Sequence, residues 1–145
     1  TGSAIQNGRR LVMVVAGLDS FNGRISESVR FMDWGFKAWR AQPLFKKGVT
    51  VETAEVQLGS STSVPLVAPR DLAVTLPRTA SGSISAKVVY NGPIKAPIAK
   101  GQPIARLIIS TDDTEPQVMP LVAGEAIAEA GFFGRLWNGL KSFFG

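Results

Sequence analysis

The sequence has 145 residues, and its 45% hydrophobic and 19% charged residues are typical of a globular protein rather than a disordered or fibrous one. It has no cysteine and no histidine, which excludes disulfides, thiol nucleophiles, Ser-His-Asp triads and His-ligated metal sites within the chain. The net charge of +5 allows nucleic acid, anionic lipid or an acidic polymer as a partner. Because the basic residues are scattered, a solvated and mildly basic surface is the preferred interpretation.

The start of the chain lacks an initiator methionine, and it lacks the basic and small-residue features of a signal peptide. We therefore expect Thr1 to mark a processing or fragment boundary. No run of 18 or more apolar residues is present, so no segment that spans a bilayer is predicted.

The first region, residues 1–43, begins with two predicted strands. The dipeptide Asn7-Gly8 between them is a strong hairpin signal, because both residues tolerate the left-handed conformation that a tight hairpin turn needs. The apolar run at residues 11–16 shows no alternation, so we predict a strand that is buried on both faces.

A helix is predicted over about residues 23–41, with Ser20 or Asn22 as its cap. At about 100° per residue, one narrow stripe is apolar, and Phe31 and Trp34 form a second apolar side. The stripe comprises Ile25, Val29, Met32, Phe36 and Trp39. A helix with two apolar sides usually lies between two packed layers, so we expect it to contact another segment besides its own hairpin. Two strands and one helix cannot close a core, and the region is therefore predicted to be the end of a larger domain.

The second region, residues 44–130, contains short β-rich runs separated by turn residues. The runs occupy residues 49–58, 72–76, 84–90 and 104–109. Such spacing predicts a small antiparallel sandwich or barrel, and we favour the sandwich. The fold class predicted for the whole chain is therefore mainly β, with a hairpin and helix before the sandwich and an amphipathic helix after it.

The third region, residues 131–145, is predicted to be an amphipathic helix. Its seven large apolar side chains fall within an arc of about 140°, and polar residues occupy the remainder. This pattern is typical of an in-plane membrane anchor, and four Phe and one Trp in 15 residues favour that interpretation over a helix docked on the chain's own core. The predicted membrane-binding residues are Phe132, Phe133, Arg135, Leu136, Trp137, Leu140, Lys141, Phe143 and Phe144.

Four segments resemble, in the right order, parts of the low-molecular-mass penicillin-binding proteins, which are D-alanyl-D-alanine carboxypeptidases of the S11 peptidase type. GSAIQNGRRLVMVVAG (residues 2–17) resembles the strand pair that follows their Lys-Thr-Gly motif, and ESVRFMDWGF (27–36) resembles the last helix of their peptidase domain. APIAKGQPIARL (96–107) and PLVA (120–123) are similar to their all-β second domain. The family typically ends in an amphipathic helix on the periplasmic face of the inner membrane, as the residues from Phe132 onward would.

The resemblance implies a serine peptidase whose catalysis needs a Ser-x-x-Lys nucleophile, a Ser-x-Asn motif and Lys-Thr-Gly. No serine in this chain has a lysine three positions later. Ser20-Phe21-Asn22 has the letters of the second motif, but it follows the strand pair and is interpreted as a loop and helix cap. Thr1-Gly2 is not interpreted as a truncated Lys-Thr-Gly, because the family's hairpin places that motif upstream. No catalytic residue, cofactor or metal is therefore predicted for this chain.

The preferred function is the membrane-tethering and spacing part of a carboxypeptidase that acts in peptidoglycan biosynthesis, located peripherally on the periplasmic face of the bacterial inner membrane. Its predicted partners are anionic lipid, and peptidoglycan through the parent catalytic domain; a homodimer through the apolar helix face is an alternative. A second hypothesis is a stand-alone β-sandwich module that binds a glycan or a protein and carries a lipid-binding tail. Nucleic acid is not predicted, because aromatic and basic residues interleave in the tail alone.

Overall fold

The computed structural model describes residues 1–112 and 114–131. The predicted membrane-binding residues, and all but the first residue of the predicted helix at 131–145, lie outside the described residues. The described chain is mainly β, as predicted, with a single long helix α1 at Phe21–Ala38. The strands are β1 (Gly2–Gln6), β2 (Arg9–Met13), β3 (Trp39–Phe45), β4 (Thr50–Gln57), β5 (Ser63–Val67), β6 (Leu72–Pro77), β7 (Ile84–Val89), β8 (Ile94–Lys95), β9 (Pro103–Thr111) and β10 (Gln117–Ala123).

The strands form one large sheet and two ribbons. The large sheet has the order β7-β9-β10-β5-β4-β8, and all of its pairs are antiparallel except β4 with β8. The first ribbon pairs β3 with β6, and the second pairs β1 with β2. We refer to β3–β10 as the sandwich and to β1, β2, α1 and the link between β2 and α1 as the N-terminal layer.

The core lies between the β3–β6 ribbon and the large sheet. Alternate residues of β6 are buried while those between them are exposed, which is the period-2 pattern of a strand with one face on a core. The inward residues Leu72, Val74 and Leu76 of β6 belong to the same hydrophobic cluster as Leu107 of β9 and Leu121 of β10. Val64, Leu66, Val74 and Leu121 are 0% exposed. Full burial of such a side chain stabilises a fold by about 1.5–3 kcal/mol.

The hairpin turn and the helix cap are confirmed. Asn7 and Gly8 adopt φ values of 50° and 76°, the left-handed pair expected for a two-residue turn between twisted strands. The hydroxyl of Ser20 accepts a hydrogen bond from the backbone N–H of Gly23 at 3.0 Å, which satisfies one of the free donors at the start of α1.

Two expectations for the first region were wrong. The helix ends at Ala38 rather than near residue 41, because Trp39 is extended and begins β3, whose backbone pairs with β6. The strand in the apolar run ends at Met13, and within the described residues it is covered on one face alone, since Val12 and Val14 are 67% and 72% exposed. Ile5, which lies on the same face of the β1–β2 ribbon as Val12, is 68% exposed, so this second face is uncovered in the described chain.

Candidate functional site: the apolar N-terminal layer

The N-terminal layer is held together by a close contact between β2 and α1. Leu11 of β2 packs on Gly35 of α1 so closely that a Cβ at Gly35 would lie 2.9 Å from the Leu11 Cδ1 atom. A side chain at this position would push the helix from the hairpin, so glycine allows the close approach. The contact covers one side of α1 near its carboxyl end and leaves the rest of the helix to other partners.

Arg9 joins the layer to the sandwich. Its guanidinium donates one hydrogen bond to the carbonyl of Gly35 and another to the carbonyl of Trp39, each at 2.6 Å. The guanidinium carbon also lies 5.3 Å from the centre of the Phe36 ring, within the range of a cation–π contact. These acceptors are at the carboxyl end of α1 and the start of β3, where carbonyls lack helical donors and attract positive charge. Arg9 thus fixes the joint between the two regions.

The outer surface of the layer is apolar. No residue of α1 is buried, and eight of the eleven exposed large hydrophobic residues of the described chain belong to the layer. They are Ile5, Val12, Val14, Phe21, Ile25, Val29, Phe31 and Trp34. Single exposed apolar residues are ordinary on soluble proteins, but a cluster of this size marks an interaction surface.

A cavity of about 290 Å³ opens between the hairpin and the helix, lined by residues of both and by Trp39 and Thr75 of the sandwich. The rings of Phe31 and Trp34 stack at 5.6 Å between centroids, and Trp34 meets Trp39 edge-on at 6.3 Å. Both Phe31 and Trp34 remain about half exposed. The second apolar side predicted for the helix is therefore present, and in the described chain its outer surface has no segment packed over it.

The side chains that the layer exposes are mostly large and apolar, so the interaction they offer is hydrophobic packing. Among the described residues, no group of three or more His, Cys, Asp or Glu side chains lies close enough together to hold a metal ion. In residues 1–112 and 114–131, no helix is long and apolar enough to cross a membrane. Ser20-Phe21-Asn22 forms the start of α1, as predicted for a helix cap, and the Ser20 hydroxyl is engaged in that cap rather than aimed at a base.

Comparison with known proteins gives this surface a context. The family described as "Penicillin-binding protein 5, C-terminal domain" matches residues 39–129, which contain the whole sandwich. The chain belongs to this family. The match begins at Trp39, the first residue of β3, so the N-terminal layer lies outside the family's domain.

Curated relatives extend the likeness across the layer. The chain is 31% identical over 137 residues to the D-alanyl-D-alanine carboxypeptidase DacC of Escherichia coli (strain K12), a match that covers 94% of this chain and 34% of that protein. It is 30% identical over 135 residues to the D-alanyl-D-alanine carboxypeptidase DacA of Haemophilus influenzae, covering 92% of this chain and 34% of that protein. The chain therefore spans about a third of the length of the curated relatives it matches.

A solved structure of penicillin-binding protein 5 from Haemophilus influenzae superposes with a TM-score of 0.72 at 27% identity, over 88% of this chain and 38% of that one. A peptidoglycan synthesis regulatory factor from Streptococcus pneumoniae matches with a TM-score of 0.69 at 23% identity, over 86% of this chain and 38% of that one, which supports the fold alone. The predicted resemblance to the low-molecular-mass penicillin-binding proteins is confirmed.

Sequence reasoning found the apolar sides of the helix but missed the role of Arg9. The neighbouring residues Arg9 and Arg10 give no sequence signal that decides whether they pair with carboxylates or face solvent. Arg9 instead binds backbone carbonyls, and the Arg10 Nε donates to the Ser3 hydroxyl across the hairpin at 2.9 Å. No local signal marks a partner that lies 26 to 30 residues away and consists of main-chain atoms.

Proposed function

We propose that this chain is the carboxy-terminal part of a serine-type D-alanyl-D-alanine carboxypeptidase, in which the N-terminal layer completes the peptidase domain and the sandwich spaces that domain from the membrane. The observation that carries the proposal is the contrast in burial: the sandwich encloses its own core, whereas the layer exposes a cluster of large apolar side chains. The names of the relatives, and the share of their length that this chain spans, support a catalytic domain in the remaining part.

The layer has the chemistry of a surface that packs against a folded domain. Each of its large apolar side chains contributes about 1.5–3 kcal/mol when fully buried, so several of them together can hold an interface within one polypeptide. No further strand pairs with an edge of the β1–β2 hairpin in the described chain. A further strand of the peptidase sheet would pair with an edge of this ribbon, and an element packed on its outer face would cover Val12 and Ile5.

In the proposed parent enzyme, a serine hydroxyl attacks the amide between the two terminal D-alanines. The terminal D-alanine leaves, an acyl-enzyme forms, and water releases the shortened peptide. None of the residues of this chain is assigned to those steps, because its sequence contains neither Ser-x-x-Lys nor Lys-Thr-Gly. The proposed contribution of this chain is to support the peptidase fold and to set the distance of the peptidase domain from the membrane.

The position of the enzyme would be set by residues 131–145. We assign to them an in-plane contact with anionic lipid on the periplasmic face of the inner membrane, with the aromatic residues in the acyl boundary and Arg135 and Lys141 at the head groups. Peptidoglycan would then be reached through the parent catalytic domain, at a distance from the membrane fixed by the sandwich.

The docking proposal is tested with the chain extended by its upstream polypeptide. Phe31→Ser with Trp34→Ser should lower β-lactam labelling and the thermal stability of the extended protein, because the proposed interface with the peptidase domain would lose two buried rings. Val118→Ser is the control, since Val118 is also an exposed apolar residue, 57% exposed, but lies on the sandwich. Equal effects of the two changes, or none from the first, would contradict the docking of this surface.

The membrane proposal is tested by co-sedimentation with liposomes. Phe133→Ser with Trp137→Ser should abolish most binding, because the aromatic side chains supply most of the apolar burial. Arg135→Gln with Lys141→Gln should remove mainly the preference for anionic over neutral lipid and its salt sensitivity. If the unaltered chain does not sediment with anionic vesicles, the segment is a docked helix or a dimer contact, which analytical ultracentrifugation separates.

A further inference from the structure

A second feature of the joint between the layer and the sandwich is a group of three arginines. In the β3–β6 ribbon, Trp39 pairs with Pro77 and Arg40 pairs with Leu76. The ribbon extends by one more step, since the N–H of Arg78 donates to the carbonyl of Ala38 at 2.8 Å. Alternation along the two strands therefore places Arg40 and Arg78 on the same face as diagonal neighbours, about 7–8 Å apart at the backbone and within reach of long side chains.

The third arginine is Arg9, which reaches the same place from β2. Its guanidinium is fixed by the two carbonyls of Gly35 and Trp39 and by the ring of Phe36. Arg9 therefore supplies a positive charge that does not move away from the joint. Arg40 is held in part, by a hydrogen bond of 2.8 Å from its Nη1 to the Gln42 side chain.

Arg9, Arg40 and Arg78 line one cavity of about 200 Å³, which we call the arginine pocket. Its remaining lining residues are Gln6, Asn7, Phe36 and Ala41, so none of the seven is acidic. The ion pairs among the described residues are formed by other cations, namely Arg30, Lys37 and Lys46. Three like charges that converge without a carboxylate repel one another, and an anion between them would relieve that repulsion.

We propose that the arginine pocket binds an oxyanion, a carboxylate or a phosphate group. The planar fork of a guanidinium matches the oxygens of either group with two parallel hydrogen bonds, and Arg40 and Arg78 each retain donors for this purpose. Gln6 and Asn7 at the hairpin turn also line the pocket, and their residue types carry amide donors for further hydrogen bonds. A ligand held here would bridge the hairpin and the β3–β6 ribbon, so its binding would also strengthen the joint.

The test is a titration of the chain with sodium phosphate and with sodium acetate, followed through the arginine Nε–H resonances by NMR, with sodium chloride at matched ionic strength as reference. Both oxyanions should shift the Arg40 and Arg78 resonances in a saturable way that chloride does not reproduce. Arg40→Gln with Arg78→Gln should raise the dissociation constant at least about tenfold. Arg24→Gln is the matched control, because Arg24 is an exposed arginine of α1 outside the pocket, and it should leave the constant unchanged.

Comparison of phosphate with acetate distinguishes a ligand that carries a phosphate group from one that carries a carboxylate. Tighter binding of phosphate favours a phosphate-bearing ligand, and tighter binding of acetate favours the carboxylate of a peptide. Arg40→Lys with Arg78→Lys keeps the charge and the fold but removes the forks, so it should still weaken binding several-fold. Shifts that chloride reproduces, or an equal loss of affinity in Arg24→Gln, would overturn the proposal and indicate general screening of a basic surface.

Discussion

The two regions of this chain use apolar residues in opposite ways. In the sandwich, alternate residues of neighbouring strands meet in one cluster, and Leu66, Leu107 and Leu121 are at most 1% exposed. In the N-terminal layer, residues of the same kind point outward, and Phe21 and Val14 are more than 70% exposed. The hydrophobic content of the two regions is similar, so the difference lies in whether a second sheet is available to cover the face.

The contrast shows that an apolar pattern predicts a buried face without saying which polypeptide segment buries it. The large sheet of the sandwich finds its partner in the β3–β6 ribbon of the same described chain. The layer has a hairpin and one helix, and their mutual contact through Gly35 and Leu11 covers a small part of either element. Each prediction below tests whether the two regions differ in stability as they differ in burial.

The largest expected effect is the loss of a core side chain from the sandwich. Leu121→Ala should lower the free energy of unfolding by about 2–5 kcal/mol, because it removes a fully buried side chain and leaves a cavity. Ile25→Ala is the matched change in the layer, where the side chain is 51% exposed, and it should alter the sandwich transition by less than about 0.5 kcal/mol. Urea denaturation followed by circular dichroism measures both, and comparable losses would show that the regions unfold as one unit.

Hydrogen exchange of the unaltered chain tests the same contrast without mutation. Amides of β9 and β10 should exchange through global unfolding, whereas those of α1 should open locally and exchange at least about a hundredfold faster. The reason is that α1 has no buried residue and few contacts outside the layer. Comparable protection in both regions of the monomer would contradict an independent sandwich. The division of the chain at residue 43 stays a prediction until such data exist.

The sequence was sufficient for the elements with a local signature. The Asn7-Gly8 turn and the runs that became β4, β6, β7 and β9 follow from residue type and spacing alone. Strand β3 was missed because Trp39 continues the apolar stripe of the helix, and its extended conformation depends on pairing with β6, more than 30 residues later. The role of Arg9 was missed for the same reason.

Two strands were missed because of a proline. β5 contains Pro65 and β10 contains Pro120, and both strands lie inside the large sheet, where proline normally argues against a strand. The ladder between β5 and β10 is short: Val122 pairs with Val67, and Ala123 pairs with Leu66. Pro120 lies outside this short ladder on its β5 side, and Pro65 takes part at the end of the ladder through its carbonyl alone, which accepts a hydrogen bond from the N–H of Gly124 at 2.8 Å. That arrangement depends on how far two distant strands overlap, which no local pattern encodes.

A smaller effect is expected from the joint between the regions. Arg9→Met should lower the stability of the layer by about 1–3 kcal/mol, because two charge-assisted hydrogen bonds to the carbonyls of Gly35 and Trp39 are lost. Arg10→Met is the control, since Arg10 bonds to an exposed hydroxyl of the hairpin. Hydrogen exchange of α1 should accelerate about fivefold or more in the first variant and remain unchanged in the second. Acceleration in the sandwich as well would show that the joint supports both regions.

The smallest expected effect is a loss of stability in acid, and it should be confined to the sandwich. The backbone N–H of Lys47 and the ammonium of Lys46 hold the pKa of Asp71 below its ordinary value of 3.8. These two hydrogen bonds, at 2.9 and 3.0 Å, connect the turn after β3 to the segment before β6. A lowered pKa in the folded state means that the ionised carboxylate stabilises the fold above the ordinary value. This stabilisation is lost as the pH falls through the lowered pKa.

The Asp71→Asn variant should therefore unfold at a slightly lower temperature than the unaltered chain at pH 6, and the difference should shrink below about pH 4 and vanish in stronger acid. Exposure of the pair to solvent and its screening by salt keep the effect small. Asp33→Asn is the control in the layer, where the Asp33–Lys37 pair joins two residues of one helix and does not connect strands of the sandwich. Thermal scans of the sandwich transition between pH 2 and pH 7 measure both variants. Equal unfolding temperatures of Asp71→Asn and the unaltered chain at every pH would mean that the amide replaces the carboxylate as an acceptor, and that the charge of Asp71 contributes nothing to the turn.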